Sequence, residues 1–164
     1  MRRVLWIAVA SIVLAMEWSA PVSGQSRADL VGAARILEDA SLRVRNVHVW
    51  LYGIYVPEMG QHCIFYLNPP RCGSRAAVAL ETKIQGFVYC DIVARNEDGS
   101  VSAFCSVGRT FRSEGDDLGA YLVARGLAVA SPGAPFEYVA LERIAQSQER
   151  GFWGFQVDTF IRRR

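Results

Sequence analysis

The chain has 164 residues, 51% of them hydrophobic and 21% charged, with a formal net charge of +2. That length fits one domain with a substantial core and argues against a multidomain architecture. The near balance of charge argues against the broad basic surface with which proteins grip a nucleic-acid backbone.

Taken in order, the chain opens with a basic start, Met1–Arg3, followed by an apolar run from Val4 to Met16 and the small residues Ala20 to Gly24. This is the pattern of a secretory signal peptide, cleaved near Gly24. A membrane anchor is the lesser reading, because the apolar run is shorter than the roughly 20 residues needed to span. The Arg2-Arg3 pair lacks the longer context of a twin-arginine signal. Residues 25–164 are then expected as one exported domain, periplasmic or secreted, monomeric and without stable membrane insertion. Loss of Arg2, Arg3 and Glu17 leaves 16 basic against 15 acidic residues. The terminal run Arg162 to Arg164 reads as a solvated tail.

Ala33–Leu37 and Leu42–Val47 have the alternation of strands, joined by Glu38-Asp39-Ala40-Ser41. Arg45-Asn46 should turn the chain into a third strand from His48 to a stop at Pro57, which lacks an N–H and presents Glu58 at its end. Pro69 to Gly73 reads as a loop. A helix is predicted over Ser74–Gln85, with Ala77, Leu80 and Ile84 on one face and Gly86 as terminator. Residues 86–94 and 101–106 form a predicted hairpin around Asn96-Glu97-Asp98-Gly99, and Arg109–Gly115 a mobile loop. Asp116 or Asp117 should cap a short helix bearing Leu118, Tyr121 and Leu122, stopped at Gly126. Pro135 opens the last helix, with Tyr138, Leu141 and Ala145 inward and Gly151 at its end. The aromatics of Gly151–Phe155 should pack on the barrel.

Cys63, Cys72, Cys90 and Cys105 follow the export signal, and an even count in an oxidising compartment implies two disulfides. Four cysteines allow three connectivities, of which Cys63–Cys72 with Cys90–Cys105 is preferred. Cys90 and Cys105 are symmetric about the predicted hairpin turn and so face each other, or nearly so across a bulge. The spacing contains no Cys-x-x-Cys, and the two His are not clustered with it, so no metal site is expected.

Five strands with a helix between the third and fourth is the order of an OB-type barrel, an α+β fold with three helices. The segment Leu51-Tyr-Gly53-Ile54-Tyr55-Val-Pro57-Glu58 resembles the R-L-x-G-I-D-A-P-E strand of the thermonuclease (staphylococcal-nuclease-like) family. Further matches fall in order along residues 33–162: Gln61-x-Cys63, Cys72-Gly73, Ile84-x-Gly86, Ala103-x-Cys105, Asp117-Leu118, Gly126-Leu127-Ala128 and Gly151-Phe152-Trp153. The resemblance, to exported bacterial members, strengthens the barrel expectation.

It also implies a site, because the family's phosphodiester hydrolysis needs a carboxylate-held cation and positive donors for the phosphorus-centred charge. Set on the family's motifs, one metal-side Asp falls on Ala40, with Asp39 one residue away, and the other on Tyr55. The two Arg positions fall on Trp50 and Ser100; only Glu58 matches. Each such donor is worth on the order of 3 kcal/mol, so little hydrolysis should remain. Arg43, Arg95 and Arg109 are the substitutes within the chain, expected at the surface. The expectation is therefore a non-catalytic, exported binding or accessory module. It needs no cofactor, calcium entering only with a residual, altered nuclease activity; an envelope or exopolysaccharide role is the remaining alternative. Glu58 is expected mainly as a strand-end cap. His48 and Trp50, two residues apart, share a strand face with Tyr55 near; they either stack on a nucleic acid or oligosaccharide or, the preferred reading, fill the space left by the ion.

Overall fold

Alternation of inward and outward side chains shapes the strands Leu42–Val44, Val47–Leu51 and Val101–Val107 of this molecule. The computed structural model describes residues 28–57 and 75–154. β1 (Leu30–Ile36), β2 (Leu42–Val44) and β3 (Val47–Leu51) form an antiparallel meander. Arg45 and Asn46 connect β2 to β3 with both residues left-handed, φ 47° and 67°, the two-residue hairpin whose twist matches the strands. Leu42, Val44, Val49 and Leu51 point into the core, while Arg43 and Trp50 point out.

The predicted strand from His48 to Pro57 is not continuous. It breaks at Tyr52-Gly53, and Ile54–Tyr55 forms β4, which pairs with β8 (Val129–Ala130) in a separate two-stranded sheet. Gly53 sits at φ 76°, and a Cβ there would meet the Pro135 ring at 3.1 Å. The left-handed turn and that close approach both require glycine.

α1 (Arg75–Lys83) buries Ala76, Ala77 and Leu80, and the chain turns out of it through Gly86 at φ 106°. β5 (Phe87–Arg95) and β6 (Val101–Val107) follow as a hairpin, bulged between Ile92 and Ala94. Cys90 lies directly opposite Cys105, both are buried, and they form a disulfide. The preferred partners Cys63 and Cys72 lie outside the described residues, as do the expected signal segment, the loop to Gly73 and the terminal arginines.

β1 pairs antiparallel with β5, and β3 pairs parallel with β6, so the order β3-β2-β1-β5-β6 returns on itself. The result is a closed five-stranded barrel with a helix between its third and fourth strands, the expected OB-like α+β fold. Leu42, Val49, Leu80, Val88, Val101 and Leu122, all fully buried, are part of its core.

β7 (Asp116–Asp117) pairs antiparallel with the end of β6 and leads into α2 (Leu118–Ala124), where the Asp117 carboxylate accepts from the Ala120 N–H as N-cap. α3 (Phe136–Ser147) follows Pro135 and ends before the 3₁₀ turn Gly151–Gly154. Phe152 and Trp153 sit against the C-terminal end of α2, with the Phe152 N–H donating to the Gly126 carbonyl at 3.0 Å. The loop before β7, expected to be mobile, is tied: Thr110 and Ser113 exchange backbone hydrogen bonds, and Arg109 pairs with Asp91 at 3.0 Å. No helix among the described residues is long and apolar enough to cross a membrane.

Candidate functional site

Among the described residues, the positions that the family resemblance marks fall on two turns and on the strands β3 and β4. The β1–β2 and β5–β6 turns carry Asp39-Ala40-Ser41 and Asp98-Gly99-Ser100. In the first, Asp39 Oδ1 accepts from the Ser41 N–H at 2.9 Å and from the Ser41 hydroxyl at 2.5 Å. In the second, Asp98 Oδ1 accepts from the Ser100 N–H at 2.9 Å and its hydroxyl at 2.7 Å. Both serines are buried. Such local side-chain bonds close a turn on itself.

This geometry decides what the substituted positions can do. Ala40 is buried, with its backbone left-handed at φ 63°, and carries no oxygen for an ion. The neighbouring Asp39 spends its Oδ1 on its own turn. Ser100, at the second guanidinium position, is held by Asp98 and accepts from the Asn96 side-chain amide at 2.8 Å. Among the described residues no three His, Cys, Asp or Glu side chains are grouped closely enough to hold a metal ion. The described residues of these turns supply few of the six to eight oxygen ligands through which calcium binds. Arg43 and Arg95 are exposed, and Arg109 is committed to Asp91. Glu58 lies outside the described residues.

His48, on β3, reaches the first turn. Its Nε2 lies 2.7 Å from Ser41 Oγ; since the serine proton goes to Asp39, Nε2–H donates to the serine oxygen. The Asp98 carboxyl is held below the usual carboxylate range by the Ser100 hydroxyl, then by the Ser100 N–H, with the charge of His48 a smaller cause. Trp50 lies beside the imidazole, ring centroids 4.7 Å apart at 38°.

Neither Trp50 nor Tyr55, expected to fill the vacated space, is closed off from solvent. Trp50 is 39% exposed and Tyr55 57% exposed. Nor does Tyr55 join the other two: it stands on β4, opposite Val129, and makes no ring contact with His48 or Trp50. What sequence reasoning missed is the Asp39–Ser41–His48 chain, although the repeated Asp-x-Ser spelling at both turns signals it.

A second feature lies at the other end of β6. The Tyr138 hydroxyl, on α3, donates to both Asp117 oxygens at 2.8 and 2.9 Å. Burial first, and then the Asp117 charge, push this phenol well above the ordinary tyrosine range. A Cβ on Gly119 would lie 2.6 Å from that hydroxyl, so glycine lets the latch close.

No protein-family model matches the chain. It is similar to the succinoglycan biosynthesis protein ExoI of Rhizobium meliloti (strain 1021), with 25% identity over 131 residues, covering 77% of this chain and 66% of that protein. The match therefore spans just under two thirds of that relative's length. At this identity the relationship is distant, and membership of the thermonuclease family is not shown.

Proposed function

We propose that this chain is an exported, thermonuclease-like OB barrel that does not hydrolyse phosphodiesters and acts as a binding module. The observation that carries the reading is the replacement of ion-holding and phosphate-clamping groups by self-contained Asp-x-Ser turns, beside an exposed indole. Ala40 and Ser100 are buried and Trp50 is open to solvent. An exposed aromatic on an OB face offers stacking area to a base or a sugar ring. The Cys90–Cys105 disulfide and the basic-apolar-small start of the chain support export.

A second reading, association with the cell envelope or an exopolysaccharide, is favoured by the similarity to ExoI. It concerns where the module works and is compatible with the first.

The test pairs an activity assay with a binding assay. A preparation free of contaminating nuclease should show no calcium-dependent cleavage of DNA; cleavage abolished by Glu58→Gln would overturn the proposal. Trp50→Ala should weaken binding of a single-stranded oligonucleotide or an oligosaccharide by about ten-fold, from stacking worth about 1–3 kcal/mol. Its unfolding midpoint should stay close to that of the native chain, because the ring is partly exposed. A loss of stability without any loss of binding would mean that the ring serves packing.

A further inference from the structure

The outer face of β5 and β6 carries a groove that the resemblance does not mark. It encloses about 740 Å³, within the range of small-molecule sites. Phe104 and Ser106 of β6 form its floor, and Tyr121 and Ala124 of α2 and Leu141 of α3 form its walls. Phe104 is fixed edge-on between Tyr52, at 5.0 Å, and Tyr138, at 6.3 Å. The Ser106 hydroxyl lies shielded from solvent without a hydrogen-bond partner among the described residues, and buried hydroxyls ordinarily have one.

Two ion pairs border the groove, Arg109 with Asp91 and Lys83 with Asp116. Each pair leaves donors on the cation and acceptor positions on the carboxylate unused. A hydroxyl group donates and accepts at once, so a polyol can satisfy both halves of each pair. A singly charged ligand has to compete with one half. The apolar floor then suits the C–H face of a ring. Charge narrows the ligand further. Among the described lining residues five carboxylates face two cations, a surplus of three negative charges, with the Arg125 guanidinium stacked on the Tyr121 ring at 4.2 Å as the nearest further cation. Glu114, Asp117 and Glu137 have no cationic partner among the described residues. That field repels uronates, phosphates and nucleic-acid backbones.

We infer that this groove is a saccharide-binding site for neutral or amine-bearing sugar units. It is separate from the Trp50 face and does not depend on it. Ser102 pairs with Trp50, and Ser106 lies four residues further along the same strand, roughly 13 Å away.

The test is a backbone amide NMR titration of the folded, oxidised protein with three probes: cellotetraose, a glucosamine tetramer and a galacturonate tetramer. The first or second should shift the amides of Phe104, Ser106, Arg109 and Tyr121, with the galacturonate at least ten-fold weaker. Ser106→Phe, which fills the floor, should weaken the binding of those probes at least ten-fold; should it unfold, Ala124→Phe fills the groove from the α2 wall instead. Absence of shifts with both favoured probes, or equal binding of the galacturonate, overturns the inference. Shifts confined to His48, Trp50 and Tyr55 overturn it as well, and leave the aromatic-face reading standing. Conversely, groove shifts that survive Trp50→Ala sustain the groove when that reading fails.

Discussion

The β1–β2 and β5–β6 hairpins end in the same turn, yet they are secured differently. In both, an Asp carboxylate binds the N–H and hydroxyl of a Ser two residues on, and the residue between is left-handed. The β5–β6 hairpin uses Gly99, for which that conformation carries no steric cost, and is crosslinked by Cys90–Cys105. The β1–β2 hairpin uses Ala40, has no crosslink, and relies on His48 of β3 to complete the hydrogen bonding of its serine. One turn is held by covalent chemistry, the other by a neighbouring strand. The same local geometry can thus rest on very different support.

The largest test of this contrast removes the covalent support. Cys90→Ala with Cys105→Ala should cost about 3 kcal/mol, the chain-entropy value for a loop closed by a separation of 15 residues. Chemical denaturation measures it; a loss below about 1 kcal/mol would show that the hairpin gains little from its crosslink. Next come the serines. Ser41→Ala should cost about 2 kcal/mol and Ser100→Ala about 1 kcal/mol, because the third partner of Ser41 is His48 on another strand whereas that of Ser100 is Asn96 within its own turn. Equal losses would break the distinction between the turns. Smaller still are the residues between. Ala40→Gly should raise stability by up to about 1 kcal/mol, relief of left-handed strain outweighing added chain entropy, and Gly99→Ala should lower it by about as much. The smallest effect is one of pH. The Asp98 carboxyl lies lower in the folded chain than its ordinary value, so its contribution is complete above about pH 4 and is lost as pH falls through the folded value. Asp98→Asn should flatten the acid limb of an unfolding-midpoint profile relative to the native chain.

Much of the barrel was legible in the sequence because its signals are local. Alternation in β6, the left-handed pair Arg45-Asn46, the Asp117 cap and the symmetric cysteines each specify structure within a few residues. The break at Gly53 was not, because two-residue strands such as β4 and β8 have no period to read. Its cause, the approach of Pro135 and Tyr138, comes from far along the chain. The same limit governed the candidate site. That Ala40 and Ser100 offer nothing to an ion was evident from residue type, whereas the outward stance of Trp50 depends on what the barrel leaves uncovered. The groove was invisible because α1, α2, α3 and the β5–β6 pair each contribute to it, and no spacing in the chain links them.

The parallel pairing of β3 with β6 carries a kinetic consequence. The meander and the hairpin are each assembled from sequence neighbours, but the seam from Val49–Val101 to Leu51–Ala103 joins segments from distant parts of the chain. Loop-closure entropy must be met before such contacts contribute, so the two pieces are expected to form first and their union, here and at the β1–β5 pairing, to be the slow step. The cysteine pair lies within one piece. Oxidation therefore requires only that local ribbon, and the crosslink can be in place before the cylinder exists.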